Sequence, residues 1–468
     1  MRCLSSLYNC LQSLMGLLPE TRNVIQLGIC FFLVFFAFQS QGSIEESVIA
    51  SQGSIDKHAG YNSLAIIYFV FTFANFIAAP IVDTISPKWA MVLGGICYAL
   101  FQAGFLFLNV YYLYASSALL GFGAAIIWTG QGSYLAKNCT EQTSSRNSSM
   151  LWSMLQCSCI GGGTFILVTF SVTGSTDNIT HNTVIILYSV FTVLTVLGVV
   201  ILALLPAPPA HLSITTQVER QHYTELIAST FQLMATKKML FLAVVFAYSG
   251  IEQSFWTGIY PTCISFTKKL GNNTNQLMAI NTILAGFGQC IAGALFGIFS
   301  AKTAKLGKDM IVFLGAVIHL IVFGLVFVNF PADANITTTQ DTGYIGPYVW
   351  IALLCGFLLG FGDACWNTQI YAFLVAHFPG QSSQAFALYK FYQSGLSCAA
   401  FFYSPAINLP FNLLILAVTV VLAAVCFFAV ERVARAEERR HQFEVQQPPY
   451  NSSAALSSEE YEQTVSED

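Results

Sequence analysis

Two stretches decide the fold: Leu120-Gly121-Phe122-Gly123-Ala124-Ala125-Ile126-Ile127-Trp128-Thr129-Gly130-Gln131 and Leu359-Gly360-Phe361-Gly362-Asp363-Ala364-Cys365-Trp366-Asn367-Thr368-Gln369. Each sits inside an apolar run of about 20 residues, the length that crosses a bilayer as a helix. The Leu-Gly-Phe-Gly start recurs at an offset of 239 residues, and the Trp and Gln that follow recur at 238. Gln156 recurs as Gln393 at an offset of 237. More loosely, Gly42-Ser43-Ile44-Glu45-Glu46-Ser47 matches Gly250-Ile251-Glu252-Gln253-Ser254. Three nearly equal offsets imply a duplicated unit.

Working outward, apolar runs occupy about 24–42, 61–82, 89–109, 113–135, 150–172 and 183–205, then 239–261, 277–300, 310–330, 348–371, 386–404 and 411–430. That is six and six, without the strict alternation of a membrane β-barrel. The expected fold class is an all-α integral membrane protein of twelve transmembrane helices in two six-helix pseudo-repeats. An even number of spans gives the copies the same orientation, the organisation of the two halves of major facilitator transporters.

Composition agrees. Only 9% of the 468 residues are charged, against about a quarter in a soluble domain. A soluble enzyme could not cover its surface, and a net charge of −4 leaves no footprint for nucleic acid. The run at 24–38 follows 23 residues and lacks a small-x-small cleavage site, so it reads as a retained first span. With the N-terminus inside, fifteen basic residues fall on inner segments and three (Lys57, Lys268, Lys269) on outer loops. That bias predicts both termini in the cytoplasm. It also places the sequons at Asn178, Asn272 and Asn335 on outer loops as candidate glycan acceptors. The thirteen cysteines form no CxxC motif, and no metal or cofactor is expected; Cys3 and Cys10 are candidates for acylation.

The chain divides into a cytoplasmic N-terminus (1–23), a first half (24–205), a polar central loop (206–238), a second half (239–431) and a disordered acidic tail (432–468). No HExxH, G-x-S-x-G or phosphate-loop pattern is present. Gly121-x-Gly123, Gly286-x-Gly288 and Gly360-x-Gly362 lack the third glycine of a dinucleotide loop. The chain is not expected to be an enzyme.

Further motifs carry a resemblance: Ala37-Phe38-Gln39, Gly60-Tyr61-x-Ser63-Leu64-Ala65-Ile66-Ile67-Tyr68, Trp128-Thr129-Gly130-Gln131-Gly132, Arg146-Asn147-Ser148, and Gly360-Phe361-Gly362-Asp363 through Asn367-Thr368-Gln369. In these the chain resembles the uncoordinated-93-like family, a branch of the major facilitator superfamily, and most resembles its major facilitator domain-containing members. The loop between spans two and three departs from the general facilitator signature: of its acid, glycines and paired basic residues, Asp83 and Lys88 remain. The resemblance implies the facilitator fold and either of two roles. One is a solute carrier; the other is a regulator or escort of an ion channel or membrane receptor.

In that fold, spans one, four, seven and ten line a central cavity, and the unusual polar residues fall mostly there. Gln39, Trp128, Gln131, Glu252, Trp366, Asn367 and Gln369 are the candidate cavity residues, beside Gln41 and Asp363. A charge at mid-bilayer costs about 2.5–3.5 kcal/mol, so each acid needs a reason. Glu252 is the candidate proton-coupling acid, or else a neutral acid near the outer mouth. Asp363 and Lys390 are placed to form an ion pair between spans ten and eleven, Asp363 alternatively holding a substrate ion. Asp83 and Lys88 are the candidate gate. His319 reads as a packing residue. The expected partners are the lipid bilayer and an unknown small solute or proton, or a channel or receptor, in the plasma membrane or an endomembrane.

Overall fold

The computed structural model describes residues 18–52, 59–173, 180–209, 223–271, 274–299 and 307–446, and its architecture is all-helical. The first half contains α1 (Pro19–Gln52), α2 (Ala59–Ile85), α3 (Pro87–Gly104), α4 (Val110–Ala136), α5 (Glu141–Thr173) and α6 (His181–Ala203). After the short α7 (Tyr223–Met234) come α8 (Lys237–Phe266), α9 (Thr274–Ile298), α10 (Lys308–Asn329), α11 (Val349–His377), α12 (Ser382–Tyr403) and α13 (Leu409–Gln446).

Eleven of these helices are long and apolar enough to cross a membrane. The twelfth, α12, is long enough at 22 residues but carries Gln384, Lys390, Gln393, Ser394 and Ser397. It tolerates them because it is walled in by α2, α4 and α8, not by lipid. Conversely α6, α10 and α13 present exposed apolar side chains such as Val193, Val200, Leu314, Ile321, Val418 and Val425, a lipid-facing belt.

Local chemistry sets several helix ends. Asn109 caps α4, its Oδ1 accepting from Tyr111 N at 2.9 Å and Tyr112 N at 3.3 Å. Ser86 adopts φ 78° and Pro87 opens α3, so the chain reverses sharply after α2. In α8 a π turn spans Phe255–Ile259, next to Pro261, whose missing N–H already interrupts the helical ladder.

The central stretch read as a loop contains α7, and α8 begins at Lys237. The tail expected to be disordered from residue 432 instead continues α13 as helix to Gln446. Ion pairs hold that extension: Arg435 with Asp309 at 2.6 Å and Glu431 at 3.2 Å, and Glu437 with Lys238. Asn178, Asn272, Cys3 and Cys10 lie outside the described residues.

The halves meet where α2 packs on α12 and α5 on α9, flanked by α4–α12 and α5–α11 contacts. Within each half, glycine allows the closest approaches. Gly121 of α4 faces the carbonyl of Ile67 in α2, and Gly360 of α11 faces that of Ala285 in α9. Twelve crossings return the chain to its starting side, called here the termini face.

Candidate functional site

A buried polar cluster lies in the second half. Glu252 (α8) and Asp363 (α11) are both buried in one cluster, and Glu252 Oε1 and Asp363 Oδ2 each lack a hydrogen-bond partner among the described residues. Two carboxyl groups buried together cannot both ionise without repulsion, which favours one proton held by the pair. Asn367 Nδ2 donates to Asp363 Oδ1 at 2.8 Å. On the other side, Glu252 Oε1 lies 3.5 Å from His319 Nε2, which is 3.3 Å from the Leu359 carbonyl. Nδ1 of the same ring meets the Tyr248 hydroxyl at 2.5 Å. His319 therefore packs against the acid pair, on the buried face that α10 forms with Gly315, Ala316, Val322 and Phe323.

The expected Asp363–Lys390 ion pair is not formed at contact distance. Lys390 Nζ donates to Gln393 Oε1 at 2.7 Å and lies 4.3 Å from the Trp128 ring centroid, 4.5 Å from Tyr389 and 5.8 Å from Tyr371. Gln393 Nε2 donates to the Tyr389 hydroxyl at 3.1 Å, and that hydroxyl donates to Asn367 Oδ1. Three side chains thus stand between ammonium and carboxyl, linked by hydrogen bonds from end to end. Equal depth in adjacent helices did not suffice, because the Tyr389 ring fills the space between them.

A second cluster joins the halves midway along α5 and α9. Gln39 Nε2 donates to Gln156 Oε1 at 3.3 Å, and Gln39 Oε1 accepts from Ser158 Oγ at 3.0 Å. Gln156 Nε2 in turn donates to Gln289 Oε1 of α9. One residue on, Cys157 and Cys290 bring their sulfurs to 3.3 Å across the same α5–α9 contact. Gln41 is buried without a hydrogen-bond partner among the described residues.

The third group seals the termini face. Ser383 Oγ donates to Asp83 Oδ1 at 2.5 Å and lies 3.1 Å from Ser133 Oγ, while the Tyr371 hydroxyl donates to Gln131 Oε1 at 2.9 Å. Asp83 thus bonds the opposite half and not Lys88, whose ammonium lies 5.3 Å from the Trp89 ring centroid. Asn335, expected as a glycan acceptor, is buried, and its Nδ2 donates to the carbonyls of Ser404 at 2.7 Å and Ile407 at 2.8 Å. That amide pins the loop before α13 and is not presented to solvent.

The sequence profile of the family described as ion channel regulatory protein UNC-93 matches residues 51–428. The chain belongs to the UNC-93 family. It is 34% identical over 435 residues to the UNC93-like protein MFSD11 of Xenopus laevis, covering 88% of this chain and 97% of that one. To UNC93-like protein 3 of Arabidopsis thaliana it is 28% identical, covering 85% of this chain and 83% of the relative. Among solved structures it is similar to the major facilitator superfamily transporter FucP in the outward conformation. That match has a TM-score of 0.64 and 14% identity, and covers 88% of this chain and 99% of the other. The fold of this UNC-93 family member is therefore that of the major facilitator superfamily.

The repeat that revealed the UNC-93 fold slips within the site. Gly94 of α3 faces the Gly123 carbonyl and Ile127 of α4; in the second half Gly315 of α10 faces the Gly362 carbonyl and Trp366 of α11. Trp366 thus stands where Ile127 stands, and Asn367 where Trp128 stands. The spacing is one residue shorter in α11, and one residue is about 100° of helix rotation. Trp366 is accordingly buried against Tyr248, with ring centroids 4.9 Å apart, and Gln369 is buried with Nε2 donating to Thr368 Oγ1 at 3.0 Å. Trp128 is half-buried against Phe35 and Lys390. Tyr371, Tyr389, Gln289 and Ser383 were not singled out from sequence. For Tyr389 and Ser383 the signal available was the polarity of α12.

Proposed function

We propose that this UNC-93 family member is a secondary transporter that moves a small solute by alternating access, with a proton carried on the Glu252–Asp363 pair. The observation that carries this reading is the seal on the termini face. The halves meet there through separate hydrogen bonds, Asp83 with Ser383 and Gln131 with Tyr371, and such contacts can break and re-form as the halves rock. On the opposite side α1 and α8 make no extended contact among the described residues. The excess of basic residues on the sealed side supports cytoplasmic termini, so the conformation reads as outward-facing, in the plasma membrane or an endomembrane.

The test is purified protein in liposomes with a trapped pH dye, challenged with fractions of a metabolite extract. One fraction should drive proton movement that Glu252→Gln abolishes. Undiminished proton movement in the variant would remove the coupling claim.

The family's description as ion channel regulatory favours a second reading, a subunit that regulates or escorts a channel or receptor. Mild-detergent purification from native membranes, with stoichiometry read by mass spectrometry, separates the two. A stoichiometric channel or receptor would displace transport as the function.

A further inference from the structure

Lys390 is the only lysine or arginine whose side chain is buried among the described residues. It lies eight residues into α12, about 12 Å of helix rise from the termini face, and two turns above Ser383 in the seal. Its ammonium has no carboxylate within contact distance. It rests instead on one amide oxygen, Gln393 Oε1, and on the faces of Trp128 and Tyr389. Ring faces stabilise a cation, by about 2 kcal/mol when desolvated, but they do not neutralise it. The contact also crosses between halves, because Trp128 belongs to α4 and Lys390 to α12.

We propose that Lys390 anchors the negatively charged end of the solute, and that the solute is a small organic monocarboxylate. A single ammonium with no arginine beside it matches one negative charge. A phosphate ester would call for a guanidinium fork or several donors. Gln393 Nε2, which donates to the Tyr389 hydroxyl at 3.1 Å and to Ser249 Oγ at 3.3 Å, would exchange one of these bonds for the second carboxylate oxygen, and the Trp128 ring offers an apolar wall to the body of the solute. Pairing with the carboxylate draws the ammonium off Trp128, which loosens a contact between the halves when the site fills. The acid pair, three side chains away, remains free to carry the proton. The proposal rests on the transporter reading for its direction of movement, but the anchor itself is a binding claim.

The full-length protein in detergent is heated with acetate, hexanoate or benzoate, each paired with its primary amide, and melting is followed by tryptophan fluorescence. At least one carboxylate should stabilise the wild type while its amide does not. Lys390→Met should weaken that binding about tenfold or more, and Lys390→Arg should retain most of it. The ligand-free melting temperature of Lys390→Met should be unchanged or higher, since an uncompensated buried charge is removed. The proposal is overturned if no carboxylate stabilises the wild type, if the amide acts equally, or if Lys390→Met melts far below the wild type, which would mark the ammonium as structural. Binding without uptake into liposomes would sink the transporter reading and keep the anchor. Uptake of a neutral solute, indifferent to Lys390, would do the reverse.

Discussion

Helices α4 and α11 share Leu-Gly-Phe-Gly near their middles, and the first glycine of each, Gly121 and Gly360, lets a neighbouring backbone come close. Beyond that motif they part. In α4 the tryptophan looks toward the other half and shares its face with Lys390; in α11 it is sunk behind the helix against Tyr248 and Gly315. The place vacated in α11 is taken by Asn367, which holds Asp363. A duplicated helix thus became a wall of packing in one half and a bearer of buried acid in the other, through a change of one residue in spacing.

The comparison can be broken most directly at the two tryptophans. Trp366→Ala should cost about 3–5 kcal/mol, as for a fully buried aromatic, and Trp128→Ala clearly less, both read as melting in detergent; equal costs would refute the slip. Next, Ala124 occupies in α4 the place of Asp363 in α11 and is buried in the apolar core. Ala124→Asp should therefore destabilise by about 2.5–3.5 kcal/mol, whereas Asp363→Ala should not lower stability comparably. A neutral Ala124→Asp would mean that the first half hides an acid partner.

Where the helices agree, substitutions should agree. Gly121→Ala and Gly360→Ala each push a methyl group onto a facing carbonyl, and both should cost about 1–3 kcal/mol, matching within about 1 kcal/mol. Smallest is the seal. Tyr371→Phe removes one hydrogen bond between halves, worth about 1 kcal/mol, and should raise the maleimide labelling rate of Ser133→Cys about fivefold. An unchanged rate would show that the Gln131–Tyr371 contact does not hold the face closed.

Span number, the two halves and the family were legible because each depends on composition or on short motifs that survive as strings. The position of each polar group was harder. Trp366 and Gln369 aligned with Trp128 and Gln131 as letters, yet a missing residue turns a helix face without disturbing the string. Asp363 and Lys390 were placed at matching depth, and the intervening Tyr389 ring was invisible. His319 reads as a packing residue, but what it packs against, Tyr248 and Glu252, depends on which side of α10 faces inward. Asp83 was read with its sequence neighbour Lys88, when its partner is 300 residues away in Ser383.

Cys157 and Cys290 come from different halves and meet sulfur to sulfur. Oxidation by air or peroxide, taking one electron and one proton from each thiol, would staple α5 to α9 and fix the two halves to each other. For anyone handling this protein, the choice of reductant thus decides whether the halves are covalently joined in the tube. Under the proposed rocking mechanism, an inactive preparation made without dithiothreitol says nothing about a substrate.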